Sequence, residues 1–73
     1  MPYVNIKVTG GAEAPTTAQK EELIKGATEL LARVLNKKPA TTVVLIEEVP
    51  MENWGVGGES VPVRRMKAAK PSP

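Results

Sequence analysis

Thr41-Thr42-Val43-Val44-Leu45-Ile46-Glu47-Glu48-Val49 is the stretch that decides how this chain folds. It is rich in β-branched residues and carries a continuous apolar run, Val43 to Ile46, where a strand with one wet face would alternate. Such a run suits a strand covered on both faces, which is typical of a parallel pair joined by a crossover helix. The partner strand and the helix should therefore both lie upstream, and the crossover should be right-handed. Both are present. Leu23, Ile24, Ala27, Leu30, Leu31, Val34 and Leu35 recur at helical spacing, while Lys20, Glu21, Lys25, Glu29 and Arg33 fall elsewhere. Thr16 and Gln19 form a capping-box pattern just after Pro15, and Asn36-Lys37-Lys38-Pro39 ends the segment, which predicts a helix from Thr17 to Asn36. Gly26 costs this helix up to about 1 kcal/mol relative to Ala, which suggests close packing there. Further upstream, Val4, Ile6 and Val8 alternate with Tyr3, Asn5, Lys7 and Thr9, a strand with one face buried. Gly10-Gly11 breaks it, and the chain reads as loop to Pro15.

Downstream of Pro50 comes Asn53-Trp54-Gly55-Val56-Gly57-Gly58-Glu59, then Ser60 to Val63. This reads as a short β-hairpin or paired edge segment, because Pro62 cannot donate to a ladder and belongs at an edge. Gly55, Gly57 and Gly58 read as turn residues needing positive φ; with no helix expected after them they do not suggest a phosphate cradle. The fold class is thus α/β, a single β-α-β unit with a short C-terminal hairpin. It occupies residues 1–66, and the polar, proline-bearing residues 67–73 are expected to form a disordered tail.

A chain of 73 residues has room for one domain, and so small a core is marginal without a supplement. With neither Cys nor His there is no disulfide to form, and the eight acidic residues, all Glu, are scattered rather than clustered at ligand spacing, so no metal site is expected. Oligomerisation is the remaining staple. One helix laid on two strands leaves the other sheet face, including Val44 or its neighbours, to be covered by another subunit.

The formal charge of +2 does not point to nucleic acid. Arg64, Arg65, Lys67 and Lys70 all lie in the last ten residues, leaving six basic against eight acidic residues elsewhere, with no run of aromatics to stack on bases. No apolar stretch approaches membrane-spanning length, and the N-terminal residues have no charged segment followed by an apolar one. A soluble, cytoplasmic protein is the expectation.

Three segments in order, Pro2-Tyr3-Val4-Asn5-Ile6-Lys7-Val8, Gln19-Lys20-Glu21-Glu22-Leu23-Ile24 and Asn53 to Glu59, make the chain resemble the 4-oxalocrotonate tautomerase family of the tautomerase superfamily, from Pro2 to about Arg65. The resemblance implies keto–enol tautomerisation of a 2-hydroxy-dienoate or related α-keto acid, without cofactor or metal, in a homo-oligomer that the family makes a hexamer. It implies that Pro2, exposed by loss of Met1, is the catalytic acid/base. The chemistry is physically sound: a chain-terminal amine titrates near pH 8, at about 7.7 to 8.0, and partial burial or nearby cations lower that value, so the group can both take and return a proton near neutrality. While Met1 remains attached, the Pro2 nitrogen is an amide and can do neither.

Two arginines assist in the family, one just after the first strand and one on the second, and an aromatic residue in the Gly-rich turn lines the pocket. Here the aromatic is Trp54, whose other role would be a subunit-interface anchor. Alignment puts Ala12 and Val44 where the arginines would be. Losing a bidentate guanidinium–carboxylate contact disfavours a dicarboxylate substrate. Lys7, Arg64 and Arg65 are the candidate replacements for binding a substrate carboxylate, against the ordinary alternative of solvated surface charges. Glu47 and Glu48 could activate a water, although strand-end Glu pairs are commonly solvated. Two rival readings accompany this one: a non-catalytic member that keeps the fold as a binding or structural module, and one subunit type of a hetero-oligomer whose partner supplies the arginines.

Overall fold

Strand β1 (Tyr3–Thr9) and strand β2 (Val43–Val49) pair in parallel in the computed structural model, which describes residues 1–69. Their register runs from Tyr3 opposite Val43 to Thr9 opposite Val49, so alternation along both strands separates two faces. Val4, Ile6 and Val8 share one face with Val44, Ile46 and Glu48. Tyr3, Asn5, Lys7 and Thr9 share the other with Val43, Leu45, Glu47 and Val49. The ladder is extended at both ends, by Val43 N–H donating to the Pro2 carbonyl at 3.0 Å and Gly10 N–H donating to the Val49 carbonyl at 2.8 Å.

Helix α1 (Thr17–Leu35) is the crossover and packs against β2. Its start follows from the capping box: the Thr16 hydroxyl accepts from Gln19 N–H at 3.1 Å and the Gln19 amide oxygen accepts from Thr16 N–H at 2.9 Å, satisfying donors that have no partner within the helix. Its end follows from Asn36, which takes the left-handed conformation (φ 55°, ψ 37°) that Asn tolerates better than most side chains. A 3-10 turn over Pro39–Thr41 delivers the chain to β2, which starts two residues later than the β-branched run suggested, since Pro39 favours the turn.

The two faces of the sheet differ in cover. Val4, Ile6, Val8, Val44 and Ile46 are half-buried on the helix side, whereas Tyr3, Val43 and Leu45 are exposed on the other. The uncovered face is therefore carried by Val43 and Leu45, and Val44 belongs to the helix side. The helix is incompletely covered too: Leu23, Ile24, Leu30, Val34 and Leu35 are all exposed, and between α1 and the sheet a groove of about 580 Å³ is lined chiefly by apolar groups of Ile6, Pro15, Leu23, Ala27 and Leu30. Among the described residues only Gly10 is buried, and no side chain is.

After β2, a 3-10 turn over Met51–Asn53 leads into an antiparallel ribbon, β3 (Gly55–Val56) paired with β4 (Glu59–Ser60) through a turn in which Gly57 and Gly58 have φ of 62° and 86°. Those two glycines are needed for left-handed backbone; Gly55 is not. The hairpin is shorter than expected, because the chain turns at once into helix α2 (Val61–Ala69). Pro62 thus stands in the first turn of a helix and not on a strand edge. Its missing N–H is harmless there, since first-turn donors have no intrahelical partner, and its fixed φ suits the helix. A helix does follow the glycines, then, but its first N–H, from Val61, is already donated to the Trp54 carbonyl at 2.8 Å. Lys67, Ala68 and Ala69 belong to α2 where the sequence suggested a tail, as helix-favouring Met, Lys and Ala follow Pro62. Residues 70–73 of that expected tail lie outside the described residues.

Candidate active site

Pro2 stands at the head of β1. Its carbonyl is fixed by Val43, and Met1 beyond it is 92% exposed, so the peptide bond joining them projects from the open end of the sheet. Trp54 stands at the other end. Its indole N–H donates to the Val49 carbonyl at 3.2 Å, its backbone N–H to Met51 at 3.1 Å, and its carbonyl holds the start of α2. The residue is half-buried, its ring fixed by the indole bond and its backbone by the other two. The Val43 that holds Pro2 and the Val49 that holds Trp54 are six residues apart along extended chain, about 20 Å. Within one protomer the proline and the indole are therefore at opposite ends of the sheet.

The three candidate cations differ sharply in their surroundings. Lys7 lies on the uncovered sheet face, 3.6 Å from Glu47, which also accepts a hydrogen bond from Asn5; Tyr3 Oη completes the row by accepting from Asn5 at 3.1 Å. The hydrogen bond from Asn5 and, secondarily, the charge of Lys7 hold the Glu47 carboxyl below its usual range. Arg65 makes a two-pronged pair with Glu13, Nη1 to Oε2 at 2.6 Å and Nη2 to Oε1 at 3.2 Å, and Nη1 lies 3.6 Å from Met51 Sδ. Glu13 accepts a further hydrogen bond from Thr9 Oγ1 at 2.9 Å. The Arg65 hydrogen bond, then that of Thr9, lowers the Glu13 pKa, and the same partnership raises that of Arg65. Arg64, in the first turn of α2, has no carboxylate partner among the described residues. Its Nη1 lies over the Gly-rich turn, 3.4 Å from the Val56 carbonyl and 3.3 Å from where a Gly57 Cβ would be.

The positions aligned with the family arginines are also resolved. Ala12 lies in a 3-10 turn over Gly11–Glu13 and lines, with Gly10, Gly11, Glu48, Pro50 and Met51, a hollow of about 420 Å³ at the C-terminal ends of β1 and β2. Glu48, in that lining, is paired with Lys20 at 3.1 Å. Arg65 reaches the Met51 side of this hollow but arrives neutralised by Glu13. Val44 contributes only apolar surface on the helix side. Of the five site residues expected from sequence, the structure groups Trp54, Arg64 and Arg65 at one end of the protomer, leaves Pro2 at the other, and puts Lys7 on the open face. The sequence reading missed Glu13 and Asn5. Asn5 is recoverable from the parallel register, which sets it on the face of Glu47; nothing in the spacing of Glu13 and Arg65, 52 residues apart, announces their pairing. Among the described residues no three His, Cys, Asp or Glu side chains are grouped to hold a metal, and no helix is long and apolar enough to cross a membrane.

Comparison with known proteins agrees with this architecture. The family described as "Tautomerase enzyme" matches residues 2–64. The probable tautomerase K2 of Dickeya dadantii is 54% identical over 69 residues, covering 94% of this chain and all of the relative. The 2-hydroxymuconate tautomerase of Pseudomonas putida is 37% identical over 60 residues, covering 82% of this chain and 90% of that protein. The crystal structure of DmpI from Helicobacter pylori superposes with a TM-score of 0.80 at 46% identity, covering 89% of this chain and 97% of the other. A fold so closely shared, with a family match running from Pro2 through Arg64, leaves one assignment: this chain belongs to the tautomerase superfamily, within the 4-oxalocrotonate tautomerase family.

Proposed function

We propose that this protein is a keto–enol tautomerase that isomerises an enol of an α-keto acid, with Pro2 as general acid/base once Met1 has been removed. The observation that carries the reading is the situation of Pro2 within a tautomerase-family chain. Its carbonyl is tied into the sheet at 3.0 Å while Met1 is held by nothing but its own peptide bond. Removal of Met1 leaves a secondary amine on a rigid ring at the end of the sheet. The neutral amine takes the proton from the enol hydroxyl, the oxygen lone pair re-forms the carbonyl as the carbon–carbon double bond shifts, and the protonated amine returns a proton to carbon. No electrons leave the substrate, so the reaction needs no redox partner.

The same reading requires assembly. Pro2 and the Trp54 wall are about 20 Å apart in one protomer, so a complete pocket takes the proline from one copy and the aromatic wall from another. The exposed row Tyr3, Val43 and Leu45 and the exposed apolar residues of α1 supply surface for a homo-oligomer. The test is ketonisation followed by ultraviolet absorbance, with 2-hydroxymuconate and phenylenolpyruvate as substrates, protein shown by intact mass to lack Met1, and Pro2→Ala as control. Turnover that collapses in the variant supports the mechanism; equal rates with and without the proline remove it.

A further inference from the structure

The cations of the described residues are unevenly engaged. Four cations of the described residues are matched one to one with carboxylates: Lys7 with Glu47, Lys20 with Glu48, Arg65 with Glu13 and Lys67 with Glu59. The described cations without such a partner are Lys25, Arg33, Lys37, Lys38 and Arg64. The first four belong to α1 and the segment just after it, so among the described residues Arg64 is the one such cation in the C-terminal unit with Trp54. Three features hold it there. The Val61–Trp54 hydrogen bond of 2.8 Å hangs the first turn of α2 directly from the backbone of the aromatic wall. The Arg64 guanidinium itself reaches back to the Gly-rich turn, its Nη1 donating to the Val56 carbonyl at 3.4 Å. Gly57 has no side chain to displace the guanidinium from its place over the turn, where a Cβ would come within 3.3 Å of Nη1.

We infer that Arg64 is the carboxylate anchor of the site and that Glu13, by occupying Arg65, limits the site to monocarboxylate substrates. This rests on the tautomerase reading given above, and it narrows the substrate to an enol or keto acid bearing one carboxylate and an apolar remainder. A second carboxylate would meet Glu48 and Glu13, each already satisfied by its own cation, and would have to displace Glu13 from a two-pronged hydrogen-bonded pair to reach Arg65. An apolar remainder instead suits Met51 and Pro50, which line the hollow beside Glu48. The discrimination comes from a repulsive element, Glu13, as much as from an attractive one, Arg64.

Trp54 is the chain's sole tryptophan, so its fluorescence reports ligand binding without turnover. The probes are 2-oxohexanoate and 2-oxoadipate, six-carbon keto acids with one and two carboxylates, titrated into Met1-processed wild type, Arg64→Gln, Arg64→Lys and Glu13→Gln, each checked by circular dichroism. The expected result is tighter binding of the monoacid by wild type and a weakening of about tenfold or more in Arg64→Gln, the scale of a charge-assisted contact. Arg64→Lys should recover part of that loss, and Glu13→Gln should strengthen diacid binding selectively by about tenfold. Monoacid binding equal in Arg64→Gln and wild type, absence of binding by wild type, or unchanged selectivity in Glu13→Gln would overturn the inference. Failure of the tautomerase reading looks different: binding would remain Arg64-dependent while neither enol is ketonised. Pro2-dependent turnover with no Arg64-dependence would sink the anchor and leave the mechanism standing.

Discussion

If the working pocket takes Pro2 from one copy and Trp54 from another, two crippled variants must repair each other when their subunits are mixed. Pro2→Ala keeps the indole and lacks the amine; Trp54→Ala keeps the amine and lacks the indole. The two groups are held by opposite ends of β2, at Val43 and Val49, about 20 Å apart, so no single chain can unite them. After denaturation and joint refolding at equal concentration, a pocket has about an even chance of drawing its proline from the Trp54→Ala chain. It has the same independent chance of drawing its indole from the Pro2→Ala chain. About one quarter of pockets should then be fully wild type, whatever the size of a symmetric assembly. The assay is ketonisation of phenylenolpyruvate by the mixture, set against each variant and wild type refolded identically. Recovery toward one quarter of the wild-type rate is expected. A mixture no better than the mean of its two parents, beside a fully active refolded wild type, would refute the shared pocket.

Other predictions concern the frame and its charges. Thr16→Ala removes one half of the capping box and should lower stability by about 1 kcal/mol, measured by urea unfolding at fixed protein concentration. Leu45→Glu puts a charge on the uncovered face between Val43 and Glu47, and sedimentation should show a smaller assembly than wild type; an unchanged mass would mean that face is not a subunit contact. Glu13 has a folded-state pKa below its ordinary value of 4.5, with Arg65 the larger cause and Thr9 the next. A depressed carboxyl stabilises the fold above its unfolded pKa and ceases to do so as pH falls through the folded value. Acidification from about pH 4.5 downward should therefore loosen α2, seen as lower amide protection over Val61–Ala69 once exchange is referred to the intrinsic rate at each pH, and Glu13→Gln should show that lower protection already at neutral pH.

The parts of the fold legible in the sequence are those set by local chemistry. Thr16 and Gln19 announced the helix start, Asn36 its end, and the alternation of Tyr3 to Thr9 the first strand, because each depends on neighbours within a few residues. The parallel pairing followed from the apolar run Val43 to Ile46, but that run also implied cover on both faces, and one protomer supplies it on one. Helix α2 is hidden in the sequence because Pro62 reads as a strand-edge residue, whereas in the first turn of a helix its ring is an asset. At the candidate site, Trp54 stands out in the sequence by residue type within the glycine-rich segment, whereas Arg64 reads only as one of three candidate cations. What distinguishes Arg64 from Arg65 is a carboxylate far away in sequence that reaches one and not the other, and such a contact exists only once the chain has folded.

The absence of any buried side chain among the described residues of the protomer makes concentration a structural variable for this protein. A chain that completes its interior with other copies gains stability by mass action, so its melting temperature should climb as protein is added and fall on dilution. Below the concentration at which copies part, pocket and fold would fade together, and specific activity measured in a dilute assay would understate what the protein does where it is abundant.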